Sequence, residues 1–316
     1  MTWLLNDPVF LQHDTGPGHP ERSDRLRVVA KRLQSSGVAA KCTGLPWVAA
    51  TPTDIARVHP GAYLRQIEEI CSKGGGYLDP DTPVCPKSNE IALFASGAIL
   101  AAVNAVLREN SPPKERTAFC LVRPPGHHST PTKPMGFCLY NHIAVAARYA
   151  QAVHGLNRIL IVDWDVHHGN GTQDTFYEDS SVHFLSIHRY GGGFYPGTGQ
   201  LVETGTGDGL GTTQNVPLNQ GTTRKGYKAA FQKALEQAAK HKPELVLLSA
   251  GFDACRADPV GDLGLEPEDY VELTKDLMDL ANAHCGGRLV SMLEGGYHLE
   301  QLAESVKHHL EGLLRE

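Results

Sequence analysis

The 316-residue chain lacks the marks of several large protein classes. Its seven cysteines are odd in number and none is spaced as Cys-x-x-Cys, which argues against a disulfide framework. With 29 Lys and Arg against 35 Asp and Glu, the net charge of −6 excludes a surface built for nucleic acid or anionic lipid. The start, MTWLLNDPVF, has neither the basic opening nor the long apolar stretch of a signal peptide. The most apolar region, IALFASGAILAAVNAVL (Ile91 to Leu107), is short of the roughly 20 residues that span a bilayer. Ser96, Gly97 and Asn104 also interrupt it, so it reads as a buried core helix. No repeat, low-complexity tract or linker divides the sequence. The expectation is one domain over 1–316, in a reducing cytoplasm, with no membrane or nucleic-acid partner.

What is present is a series of buried-strand patterns: AFCLV (118–122), RILIVDW (158–164), VHFLSIH (182–188), LVLLSAG (245–251) and RLVSML (288–293). Near-continuous apolar runs of this length suit parallel strands covered on both faces. Helical patterns at Leu139–Val153, Arg224–Lys240 and Pro267–Ala283 separate most of them, and Leu299–Leu314 follows the last. This alternation predicts an α/β fold: a three-layer α/β/α sandwich around a mostly parallel central sheet.

Polar chemistry recurs where each strand ends: RPPGHH (123–128), DWDVHH (163–168), HRYGGGFYPGTG (188–199), AGFDACRADP (250–259) and EGGYHL (294–299). Ligands bind at that edge of open α/β sheets. If the strand continues beyond Val162, Asp163, Asp165 and His167 point to one face, while Trp164 and Val166 point to the other. Two like charges and an imidazole on one face make a good cation site. A solvated turn is the plainer alternative. Asp253 offers a third ligand, or else caps a turn; two carboxylates and one imidazole would leave positions open for water and substrate. The tandem His127 and His128 suit acid–base work, with Asp163 and Asn170 available to fix their tautomers. Tyr297, on a Gly-Gly turn, either packs or donates to a developing oxyanion.

Together RPPGHH, GFCLYNH, VDWDVHHGNGTQ, FYPGTG, SAGFDACRADP, EGGYHL and the earlier HPERSDRL (19–26) resemble the motifs of the zinc-dependent histone deacetylase family. That family includes acetoin-utilisation proteins and acetylpolyamine amidohydrolases, and Asn170 with GNGTQ resembles its class II branch. The resemblance implies a zinc amidohydrolase acting on acylated lysine or a small acylated amine. It implies zinc on Asp165, His167 and Asp253, with iron(II) or manganese tolerated by so oxygen-rich a set. It pairs His127 with Asp163 and His128 with Asn170, makes His128 the general base and then acid, and has Tyr297 polarise the scissile carbonyl. Phe137 and Tyr195 match the aromatic walls of a narrow tunnel, where Phe is usual at the second position. Gly136 and Val260 belong to that tunnel too; in polyamine-selective relatives an acidic residue stands where this chain has Val260. A potassium ion is implied near Asp163, Asp165, His167 and Ser186.

Two rivals are weaker. A dimanganese hydrolase would need bridging carboxylates where the chain has Gly169 and Cys255. A catalytically weak acyl-ligand binder would have no chemical need for His127, His128 and Tyr297 together.

Overall fold

The computed structural model describes residues 2–109 and 111–314. Eight strands share one sheet: β1 (Thr2–Asn6), β2 (Cys42–Gly44), β5 (Thr117–Leu121), β6 (Ile159–Asp163), β7 (Val182–Arg189), β8 (Thr213–Leu218), β9 (Leu245–Ala250) and β10 (Leu289–Leu293). A two-residue-per-strand hairpin, β3 (Gly76–Tyr77) with β4 (Pro83–Val84), lies apart from it. The strand order is β2-β1-β5-β10-β9-β6-β7-β8, and every pairing in the large sheet is parallel. The five strands legible as apolar runs are therefore the contiguous middle of the sheet. β5, β6, β9 and β10 are buried at every position, the consequence of cover on both faces.

On one face, α4 (Ser88–Leu107) and α5 (His142–His154) pack together and onto the central strands. α2 (Pro52–Ile55), α3 (Gly61–Ser72) and α6 (Asn170–Phe176) join that group. α7 (Arg224–Ala238), α8 (Asp269–Cys285) and α9 (Leu299–Leu313) form the other layer, with α1 (Asp24–Ser35) packed on α9. α4 is long and apolar enough to cross a membrane, but twelve of its residues are buried inside the molecule. Local chemistry sets the helix ends. The Asn141 side chain accepts from Ala144 N at 3.0 Å to start α5, and Gly155 ends it in the left-handed region at φ 69°.

The consequence for function is positional. β5, β10, β9, β6 and β7 are neighbours, so their C-terminal loops meet over one edge of the sheet.

Candidate active site

β6 stops at Asp163, and the chain leaves strand geometry before Trp164. The simple alternation expected through His167 is thus replaced by a turn held together by its own carboxylates. Asp163 Oδ1 accepts from Asp165 N at 3.1 Å, and Asp165 Oδ1 accepts from His167 N at 2.9 Å. Asp253 Oδ1, arriving from the β9 loop, accepts from Val166 N at 2.9 Å. Trp164 is driven into the core against Tyr270 and Phe252.

These bonds turn Asp165, His167 and Asp253 toward one point, with ligand atoms all within 4.8 Å of one another and all three residues buried. His167 Nδ1 lies 3.0 Å from Asp165 Oδ1 and 3.2 Å from Asp253 Oδ2. Asp253 Oδ2 is buried and, although 3.2 Å from His167 Nδ1, forms no well-aligned hydrogen bond. An orphaned carboxylate oxygen beside a second carboxylate is costly unless a cation neutralises it. Burial, then repulsion from Asp165, pushes Asp253 up to about 7. Absent a cation, the Asp165 and Asp253 carboxylates raise the His167 pKa to about 10 against burial; a metal ion there would take the place of that proton. The donor set fits one divalent cation. Gly295 makes room for it: a Cβ there would fall on Asp253 and Asp165, while its N–H donates to Asp165 Oδ2 at 2.8 Å.

The tandem histidines face this trio and differ in their partners. His127 Nδ1 donates to Asp163 Oδ2 at 2.9 Å; His128 Nδ1 donates to Asn170 Oδ1 at 2.7 Å. The Asn170 amide nitrogen points to Met135 Sδ at 3.5 Å, which fixes the amide orientation. Burial would neutralise both rings, but Asp163 and Asp165 outweigh it at His127 and raise that group to about 10. His128 has no carboxylate partner, so burial and the charge of His127 leave it well below the ordinary range. Their partners thus push the two rings in opposite directions, His127 toward its cation and His128 toward its neutral form.

Above them lies a cavity of about 350 Å³, lined by His128, His167, Gly136, Phe137, Tyr195, Val260 and Tyr297, together with Phe194, Gly193 and Asp81. Gly136 is needed at φ 57°, where a Cβ would strike the His128 ring. Phe137 adopts φ 67°, unusual for a bulky residue. Its N–H is tied to Thr82 Oγ1 at 3.1 Å, and its ring stacks edge-on with His19 at 4.7 Å and Tyr297 at 5.9 Å. Tyr195 stands edge-on to His128 at 5.1 Å. Ser186 is set apart from the cavity; it lies beside Asp163 in the strand register, with Oγ 2.9 Å from His188 Nδ1.

Comparison with known proteins places the chain in a family. The family model described as "Histone deacetylase domain" matches residues 19–313. The chain belongs to the histone deacetylase family. It is 40% identical over 315 residues to Histone deacetylase 14, chloroplastic, of Arabidopsis thaliana, covering 94% of this chain and 73% of that one. It is 41% identical over 311 residues to Polyamine deacetylase HDAC10 of Homo sapiens, covering 93% of this chain and 44% of that one. The crystal structure of the HDA15 HD domain matches with a TM-score of 0.92 at 37% identity, over 99% of this chain and 89% of that one.

Histone deacetylase family members are generally metal-dependent and hydrolyse amides, the chemistry a buried Asp-His-Asp trio beside a neutral imidazole serves. Four buried charged residues around the trio escape sequence reading. Glu294, fully buried, accepts from Gly126 N at 2.7 Å, His127 N at 3.2 Å and Ser249 Oγ at 3.0 Å. Burial pushes it up to about 7. Arg25, inside HPERSDRL, donates to Glu294 O at 2.5 Å and Gly296 O at 2.6 Å, and lies 4.9 Å over the Tyr297 ring. Glu21 pairs with both Arg25 and the equally buried Arg123. They sit inside the EGGYHL, HPERSDRL and RPPGHH stretches, but a sequence shows charge without burial.

Proposed function

We propose that the chain removes acetyl or other acyl groups from a primary amine, the ε-amine of lysine foremost, with one zinc ion on Asp165, His167 and Asp253. The observation that carries this is the unpartnered Asp253 Oδ2, converging with Asp165 and His167 at the floor of the cavity that also receives His128 and Tyr297. A zinc ion held there supplies Lewis acidity to the amide oxygen and lowers the pKa of water. The residues do the rest. With Nδ1–H committed to Asn170, His128 presents the lone pair of Nε2, takes the proton from water and returns it to the departing amine. His127, kept protonated by Asp163, places positive charge beside the developing oxyanion. The Tyr297 phenol donates to that oxyanion. Phe137 and Tyr195 clasp an apolar stem and exclude water. The same reading takes in a potassium ion near Asp163, Asp165, His167 and Ser186.

Residues 1–316 act in this reading as one catalytic domain, supported by a sheet whose strands come from both ends of the chain. A reducing compartment such as the cytoplasm is supported by seven unpaired cysteines. A second reading, an acetylated polyamine as substrate, is favoured by Asp81: its carboxylate lies among the cavity lining and could meet a second ammonium group. The test is zinc-loaded protein against acetyl-lysine peptides, longer acyl-lysines and acetylpolyamines, compared by kcat/KM. Tight zinc with no turnover of any would reduce the chain to an acyl-ligand binder.

A further inference from the structure

Asp258 has no part in that chemistry, yet its side chain joins two parts of the cavity. It is 6% exposed, in the loop that leaves β9 after Asp253. Oδ1 accepts from Val260 N at 3.0 Å and Gly261 N at 3.1 Å, within its own loop. Oδ2 accepts from Tyr297 N at 2.7 Å and His298 N at 2.9 Å, across from the end of β10. Four backbone donors saturate one carboxylate. Val260 and Tyr297 both line the cavity, so the same group fixes two parts of its wall. The loop is bent to deliver it: Ala257 and Asp262, on either side, sit at φ 61° and 74°, where side chains are strained.

We infer that Asp258 is a positioning residue that sets the Tyr297 phenol against the scissile carbonyl by holding its backbone. This rests on the role proposed above for Tyr297. The Gly295–Gly296 segment before Tyr297 has no Cβ to resist rotation, and Gly296 itself lies at φ 120°. Arg25 pins the carbonyl side of Gly296, and the Asp258 carboxylate pins the N–H that follows. Without Asp258, the Tyr297 and His298 amides lose their acceptor. A charged group with four acceptor sites satisfies four donors at once; an amide or hydroxyl cannot.

The experiment compares wild type, Asp258→Ala, Tyr297→Phe and the double variant by kcat, KM and zinc content, with amide hydrogen exchange on each. Asp258→Ala should retain zinc and lower kcat roughly 10–100-fold, the scale for displacing a catalytic group. In the Tyr297→Phe background the same change should cost less than about threefold, because coupled residues are not additive. Exchange at Tyr297 and His298 should rise by about tenfold or more while β9 stays protected. A purely structural role would lower kcat equally in both backgrounds, and that result overturns the proposal. Unchanged exchange at Tyr297 and His298 also overturns it. If Asp258→Ala does not fold, Asp258→Glu keeps the charge but displaces it, and must show the same dependence on Tyr297. Wild-type protein that turns over no acylated amine would sink the proposed activity instead, and exchange alone would then decide for or against Asp258.

Discussion

His128 donates its Nδ1 proton to Asn170 Oδ1 over 2.7 Å, so the imidazole facing the cavity leans on an amide and not on a carboxylate. That choice keeps His128 neutral, because nothing repays burial of its cation. Asn170→Asp should stabilise the imidazolium and raise its pKa. A general base works only when unprotonated, so the acidic limb of kcat/KM against pH should move to higher pH. An unmoved limb would mean that His128 is not the group titrating there.

The metal trio makes a stoichiometric prediction. Gly169 and Cys255 stand where a second ion would need carboxylates, so the protein should bind one zinc per chain. Asp253→Ala should lose metal and activity together. Elemental analysis finding two tightly held divalent transition-metal ions per chain in wild type would contradict a mononuclear site.

Tyr297→Phe deletes one donor to the oxyanion and nothing from the metal trio. Zinc content should be unchanged, while kcat falls by about 10²–10³-fold. Retention of wild-type kcat would remove Tyr297 from the mechanism.

The middle of the fold was legible because its strands are covered on both faces, and β6 reads ILIV and β9 LVLL before their ends turn polar. The sheet margins were not. β2 is three residues, and β8 reads TQNVPL, an edge strand whose pattern resembles a loop. α1 was equally hidden: its sequence, DRLRVVAKRLQS, is mostly polar, and α9 covers its narrow buried stripe of Leu26, Val29 and Leu33. In the site, the carboxylates and imidazoles stand out because strand ends concentrate them. Glu294, Asp258 and Asp81 stay hidden because most of what they bind is backbone N–H, which no residue type announces.

Acid stability should depend on a buried histidine that does not line the cavity. His309 on α9 bonds the hydroxyls of Thr274 and Ser291, both at 2.8 Å, and burial pushes its pKa down to about 3. The folded pKa lies below the unfolded value, so the stability of the neutral ring is fully present above about pH 6.5 and is lost as pH falls toward 3. Chemical denaturation should show wild type losing about 2 kcal/mol more than His309→Gln between pH 7 and pH 5. The variant should be less stable at pH 7, with the two curves converging in acid. Parallel curves would show that the ring is not held neutral.

Substrate choice should turn on the charge of the cavity lining. Val260 is part of it, and the neighbouring acids do not replace the missing charge: Asp262 Oδ1 accepts from Gly264 N, and Glu266 is paired with Arg256. Among the lining residues the carboxylate is Asp81, whose Oδ1 already accepts from Thr82 Oγ1 at 2.8 Å and Gly136 N at 3.3 Å. A distal ammonium beside Val260 would give up water and gain an isopropyl group, an unfavourable exchange. An acyl-lysine carries no second cation at that depth and meets no such cost. Acyl-lysine peptides should therefore exceed acetylspermidine in kcat/KM. Val260→Glu should move the ratio toward the polyamine by about tenfold, the effect of an added charge pair worth roughly 1.4 kcal/mol. Wild-type protein that prefers acetylpolyamines to every acyl-lysine peptide would show that Asp81, not Val260, governs the choice, and Asp81→Asn should then abolish that preference.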